Sequence, residues 1–372
     1  MSSSTSTSEL RRAALLRVVG ALAGALILLV AAELLLRALP IARGVLPRDP
    51  VSPAASTRML PNRPYTWSIG WDLRHVVHGR TNSMGFISPR EYTADRQAIA
   101  LFGDSFAEAQ MLDYRESLAG RIETYFGGGV DVFNFGLSGA SLPHYLGMAR
   151  EVGSSLRFQA AIVIVTPADY TEGFETQFGY YKWTREPGAG LVTLVPAASA
   201  DPMRHVLREL ALVRYVRANL KFSPQRLLEF SRQATPCVPA ELKPPDRERV
   251  ARYVDALPRA LGIEPDKVVL VFHTHISGIY ERVDRKHPAR SGECPQLDEL
   301  ALAELRRLAA LRGVKVLDAT AVLENHYRLH RRPLGFEPVD SHWNATSTEV
   351  IARELASLLG TPVARLEKIA GQ

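Results

Sequence analysis

Five short apolar runs, Ile99–Phe102, Val130–Phe135, Ala161–Val165, Val268–Phe272 and Val314–Leu317, are separated by stretches with the period of amphipathic helices. Short apolar runs of that length read as strands, and strands that alternate with helices pair in parallel. The chain is therefore expected to fold as an α/β protein around a parallel sheet. In such sheets, sites collect outside the carboxyl ends of the strands, and Ser105, Gly139 and Asp169 all fall there.

Ahead of this core lies an apolar stretch, Val18–Ala32, extended past Glu33 by Leu34, Leu35 and Leu36. It approaches the roughly 20 residues that cross a bilayer as a helix. Gly20, Gly24 and the many alanines suit a membrane helix, and no polar face recurs at helical spacing. Arg11, Arg12 and Arg17 precede it, so the positive-inside bias makes 1–12 a cytoplasmic tail and 13–37 a single-pass signal anchor. Everything after Arg37 would then face the extracytoplasmic (periplasmic) side of the inner membrane. A cleaved signal peptide is the competing reading, although Leu39-Pro40 offers no small-x-small site. A buried core helix comes third.

Residues 38–64, rich in Pro, Arg and Ser, read as a stalk. Residues 65–97 read as a small β-rich lead-in, with alternating pieces at Tyr65–Ile69 and His75–His78. The main domain is expected over 98–366, with a helix from Arg115 to Phe126 and an insertion at about 170–265. Within the insertion, Met203–Phe222 carries leucines and valines at helical spacing. Packing over the sheet is the plain role for that helix; a lid or a partner surface is the sharper one. The last helix is marked by a capping box at Thr346–Glu349, with Gly360 and Pro362 beyond its end.

The formal charge of +6 raises nucleic acid as a partner, but the arginines are dispersed and no aromatics interleave with them, so none is expected. Cys237 and Cys294 both lie on the exported side, where a disulfide between them is permitted. Their wide separation does not read as a metal site, since metal ligands come in close pairs.

Chemistry is carried by two separated segments. Gly103-Asp104-Ser105-Phe106 follows the first core strand, so a glycine turn and a helix start would leave Ser105 exposed at the helix's N-terminal end. A serine hydroxyl needs a base to take its proton and a third group to orient that base. Downstream, Asp340-Ser341-His342-Trp343-Asn344 supplies His342 as base and Asp340 as orienter. Gly103 leaves the turn unobstructed, and Asp104 would hold it through hydrogen bonds to neighbouring backbone. The bland alternative for Ser105 is a helix cap.

The Gly-Asp-Ser turn, the stretch Asn134-Phe135-Gly136-Leu137-Ser138-Gly139 and the late Asp/His pair together resemble the SGNH (GDSL) hydrolases, over roughly 81–359. Thr81-Asn82-Ser83-Met84-Gly85-Phe86 resembles the lead-in of membrane-anchored bacterial members. The resemblance implies a flavodoxin-like three-layer α/β/α fold and a cofactor-free, metal-free acyl-enzyme mechanism through Ser105, His342 and Asp340. It also implies an oxyanion hole from the amides of Ser105 and Gly139, or Gly136 in its place. The family's third donor, an asparagine before an aspartate, is replaced here by Ala168, and Asn82, Asn134 and Asn344 are the candidate substitutes. Commoner members place the aspartate three residues before the histidine rather than two, which keeps Glu337 as an alternative orienter.

Exported members act on acylated glycans or lipids, so an O-acyl, most simply O-acetyl, ester is the expected substrate, with envelope polysaccharide machinery as a possible partner. The alternatives are an acyltransferase using the same triad and a catalytically weak glycan-binding or assembly component. His273-Thr274-His275 also falls at the catalytic edge, where substrate contact or structural hydrogen bonding is favoured over a metal. Trp67, Trp71, Trp183 and Trp343 are available to stack on sugars, with buried packing as the default.

Overall fold

The apolar runs pair as one five-stranded parallel sheet in a computed structural model that describes residues 7–44, 56–170, 173, 179–184, 191–196, 202–222, 242–284, 295–337 and 340–360. Helix α1 (Thr7–Arg37) leads to an antiparallel hairpin, β1 (Pro64–Ile69) and β2 (Arg74–Arg80). The core follows with β3 (Gln97–Phe102), α2 (Ser105–Glu108), α3 (Leu118–Tyr125), β4 (Asp131–Asn134), α4 (Leu142–Gly153) and β5 (Arg157–Val165). Next come β6 (Tyr181–Trp183), β7 (Val192–Leu194), α5 (Pro202–Glu209), α6 (Ala211–Arg214), a π-turn over Tyr215–Asn219 and α7 (Pro244–Leu261). The chain then runs through β8 (Val268–Phe272), α8 (Ile276–Asp284), α9 (Pro295–Ala310), β9 (Lys315–Asp318) and α10 (Ala319–His330). A short hairpin, β10 (Gly335–Phe336) and β11 (Asp340–Trp343), precedes the last helix, α11 (Ala345–Leu358).

The strand order is β4-β3-β5-β8-β9, the flavodoxin-like 2-1-3-4-5 arrangement. Successive strand residues feed opposite layers. Ala98, Ala100 and Phe102 of β3 pack with Val163, Leu270, Tyr253 of α7 and Leu305 of α9, while Ile99 and Leu101 pack with Ile162, Val269, Ile122 of α3 and Ile351 of α11. Burial on both faces is why the central strands β3, β5 and β8 read as apolar runs. The order reverses at β3, whose neighbours β4 and β5 lie on opposite sides, so the crevice at its carboxyl end opens where Ser105 begins α2.

Several local expectations are corrected. The helix expected from Arg115 to Phe126 is broken at Ser117, which is extended and whose hydroxyl accepts the Gly120 N–H at 3.3 Å, restarting the helix as α3. The cap of α11 is Asn344, whose side-chain oxygen accepts from the Thr346 and Ser347 amides at 3.0 and 3.1 Å, so the Thr346–Glu349 box lies inside the helix. Helix α7 packs in the same layer as α4, so the core resumes by Pro244 rather than near 265.

The described parts of 38–64 are docked rather than a free stalk. Ile41, Ser56, Thr57 and Met59 are buried, Arg43 bridges to Thr66, and Ser56 and Arg58 both bond Glu151 of α4. The stretch Met203–Phe222 is not one helix. Leu210 is extended, and the Glu33 carboxylate of α1 accepts the Ala211 and Leu212 amides at 2.9 Å each, capping α6. The segment therefore joins the end of α1 to the hairpin instead of covering the sheet: Asn219 bonds Ser68, and the Tyr215 hydroxyl bonds the Trp71 carbonyl. Helix α1 is long and apolar enough to cross a membrane, and its apolar stretch is not buried against the domain. Cys237 and Cys294 lie outside the described residues.

Candidate active site

Ser105 owes its position to two close approaches that only glycine permits. A Cβ on Gly103 would fall 2.8 Å from the Ala107 Cβ and 3.1 Å from the Ile164 Cβ; one on Gly136 would fall 2.3 Å from the Glu108 amide. Without those side chains, the end of β3, the single turn of α2 and the loop after β4 lie against one another. The Asp104 carboxylate accepts the Phe106 N–H at 2.9 Å and caps α2. Burial raises the Asp104 pKa, against the lowering effect of that amide and of His342.

Over this turn stands His342, with Nε2 2.7 Å from Ser105 Oγ. Its Nδ1 meets Asp340 Oδ1, which also accepts the His342 backbone N–H at 2.9 Å. This double contact shows how a two-residue spacing works: within β11 the Asp340 carboxylate folds forward onto both the amide and the ring of His342. A carboxylate at Nδ1 fixes the proton there and leaves Nε2 as the acceptor facing Ser105. The Phe106 ring packs on His342, His273 and Trp343, with centroids 4.9, 4.1 and 4.9 Å away, and restrains the imidazole from its other side.

Asp340 has a second partner that the motifs do not announce, Lys221, whose Nζ lies 2.5 Å from Oδ2. Burial alone would raise the Asp340 pKa, but the hydrogen bonds and charge of His342 and the Lys221 ammonium outweigh it. The carboxyl is held well below the ordinary range and stays ionised. Glu337, the alternative orienter, does not hold Nδ1; Asp340 does.

Among the described residues, the amides of Ser105 and Gly139 have no hydrogen-bond partner, and Gly139 sits in a left-handed turn at φ +78. Gly136 is different: its N–H donates to Asn134 Oδ1 at 2.9 Å. The three asparagines considered as substitute donors are committed elsewhere. Asn134 donates to the Ala107 carbonyl, Asn82 accepts from Met84 and Phe86 and donates to the Arg90 carbonyl, and Asn344 caps α11 and donates to Pro333 and Gly335. Their carboxamides are consumed in fixing loops. Ala168 stands exposed in a one-turn helix, Pro167–Tyr170, anchored by Asp169, which accepts the Thr166 and Leu142 amides at 2.7 and 3.2 Å.

His273 is buried; its Nδ1 donates to the Thr274 carbonyl at 3.0 Å, and burial pushes its pKa down to about 3. Trp183 and Trp343 are buried, whereas Trp71 is 72% exposed. No cluster of metal-ligating side chains occurs among the described residues.

Glu108, another residue without a sequence signal of its own, is buried at the end of α2 and accepts from the Ser138 hydroxyl and from Gln110 Nε2 at 2.6 Å. It ties α2 to the turn that carries Gly139. Burial pushes its pKa up to about 7, despite those hydrogen bonds. The folded protein therefore keeps a proton that the unfolded chain, titrating near 4.5, gives up. The stabilisation is complete below that pH and is lost as pH rises to about 7, a change of about 3 kcal/mol at most. In urea denaturation at pH 5 and pH 7.5, wild type is expected to lose stability across the interval and Glu108→Gln to lose clearly less. Equal losses would remove Glu108 as the titrating group.

No protein-family model and no curated protein matches the sequence. Solved structures similar to this chain include a lipolytic protein of the G-D-S-L family from Veillonella parvula, at 11% identity and TM-score 0.38, the match covering 70% of this chain and 97% of that one. A carbohydrate acetylesterase from Sinorhizobium meliloti is similar at 12% identity and TM-score 0.36, with the same coverages of 70% and 97%. The aryl esterase of M. smegmatis is similar at 12% identity and TM-score 0.35, again over 70% and 97%.

Proposed function

We propose that this chain is a membrane-anchored serine esterase that cleaves O-acyl esters, most simply acetyl esters, of extracytoplasmic glycans or lipids. The observation that carries the reading is the contact of His342 Nε2 with Ser105 Oγ at 2.7 Å, backed by Asp340 on Nδ1 and flanked by two unpartnered amides. The motif resemblance to SGNH hydrolases supports it.

In the proposed reaction His342 takes the Ser105 proton as Oγ attacks the acyl carbonyl, and the amides of Ser105 and Gly139 receive the developing oxyanion. The ionised Asp340 stabilises the imidazolium, which then protonates the departing alkoxide and leaves an acyl-serine. Water, deprotonated by His342, attacks that ester; the carboxylic acid departs and Ser105 regains its proton. Helix α1 would hold the catalytic domain on the outer face of the inner membrane, where envelope polysaccharide machinery is the fitting partner.

The test is acetate release from an O-acetylated oligosaccharide by full-length protein in neutral detergent, with and without a non-acetylated sugar acceptor. Acetate release that the acceptor does not suppress is the expected result. Transfer of the acetyl group to the acceptor would make the chain an acyltransferase, and no turnover of either kind would refute the reading.

A further inference from the structure

A cavity of about 180 Å³ lies between the end of α1, the β1 strand and the α5–α6 segment. Three arginines line it: Arg43 just beyond α1, Arg208 on α5 and Arg214 on α6. None of them forms an ion pair or a side-chain hydrogen bond among the described residues, and the Arg214 Nε is buried without a partner. One carboxylate, Glu209, shares the lining, with the hydroxyls of Thr66 and Ser68, the Trp67 ring and Gln110. Burial and the neighbouring Arg43 charge lower the Arg214 pKa, against the opposing charges of Glu209 and Glu33. Unpaired guanidinium groups converging on one cavity form a site for an oxyanion, and their planar forks suit phosphate.

Its place beside the end of the membrane helix points to the source of that phosphate. Glu33, one turn before the end of α1, caps α6 at Ala211 and Leu212; Arg214 lies three residues on, roughly 5 Å along a helix. The same segment exposes Val206, Leu207, Leu220 and Phe222, beside the exposed Trp71 that Tyr215 binds, an apolar and aromatic fringe of the kind that seats in a bilayer interface. Two connections link the cavity to the triad. Gln110 in its wall bonds Glu108 at the end of the turn that Ser105 begins, and Ala218 in its wall is three residues before Lys221, which meets Asp340.

We propose that the arginine-lined cavity binds the phosphate of a bilayer-anchored substrate and thereby presents that molecule's acyl ester to Ser105. The acyl-ester part rests on the esterase reading; phosphate capture does not. The test uses full-length protein in dodecyl maltoside and measures binding of dihexanoylphosphatidic acid, dihexanoylglycerol and glycerol 3-phosphate. The phosphatidic acid is expected to bind at least 10-fold more tightly than either other probe, and Arg214→Gln to weaken it at least 10-fold. The exposed Arg208→Gln, with a lesser loss in the same direction, covers the case in which Arg214→Gln does not fold.

Binding insensitive to both substitutions would overturn the proposal, and glycerol 3-phosphate binding as tightly as the lipid would replace a bilayer substrate by a free phosphate ester. Fluorophosphonate labelling of wild type in the same preparation separates the two readings. Arginine-dependent lipid binding without labelling would refute the esterase and leave the phosphate site standing; labelling with arginine-independent binding would refute the site alone.

Discussion

Ser105→Ala and His342→Ala are each expected to lower turnover of a small acyl ester by about 10⁴-fold or more, and the double variant to be no worse than either single one. The reason is geometric. In the proposed reaction the Ser105 hydroxyl is a nucleophile only while Nε2, 2.7 Å away, accepts its proton, and His342 is a useful base only while a hydroxyl faces it. Removing either member removes the same step, so the losses overlap. Whatever rate remains comes from the unpartnered amides and substrate binding, which neither substitution touches. Both side chains are partly exposed, so the fold should survive and thermal melting should stay near wild type. Substantial turnover by folded Ser105→Ala would end the triad assignment, and strictly multiplicative losses would mean that the two residues act in separate steps.

Ala168→Asn is expected to act in the opposite direction. The proposed oxyanion site has two backbone amides free, and the carboxamides of Asn82, Asn134 and Asn344 are all engaged with loops and the α11 cap. One further donor is worth about 10² to 10³-fold in rate, which sets the ceiling of the gain. The Pro167–Tyr170 turn is already pinned through Asp169, and the Ala168 methyl is exposed, so the larger side chain fits without displacing the core. The acylation step, read as the burst of 4-nitrophenol from its acetate, should accelerate. An unchanged burst would show that the oxyanion does not form beside this turn.

Much of this arrangement was open to reading because it is local. The central strands β3, β5 and β8 carry continuous apolar runs, and they announce themselves because the layers bury both of their faces. Ser105 was legible for the same reason: strand, glycine, acidic cap and serine are consecutive, and Gly103 and Gly136 are there to let three backbones meet. Helix boundaries were less legible where two caps compete, as with Asn344 against the Thr346 box. The decisive acceptor is the one whose backbone leaves the helix, and composition does not record that.

What escaped was long-range. Lys221 carries no mark that pairs it with Asp340, 119 positions away, and the break at Leu210 depends on Glu33 of α1, distant in sequence, arriving to cap Ala211. Amphipathic spacing over Met203–Phe222 signals one helix with an apolar face. It could not say that part of this face would stay exposed beside the end of α1. The docking of 56–60 on α4 was hidden similarly, since Ser56 and Arg58 read as solvent-loving until Glu151 supplies their partner.

The most direct measurement is the mass of the intact full-length chain, and of its peptides, after exposure to a fluorophosphonate at neutral pH. A serine activated by His342 and Asp340 displaces fluoride and becomes phosphonylated, so one adduct on Ser105 is expected, absent in Ser105→Ala and slowed severely in His342→Ala. An unmodified chain, or an adduct on another residue that persists in Ser105→Ala, would contradict the account.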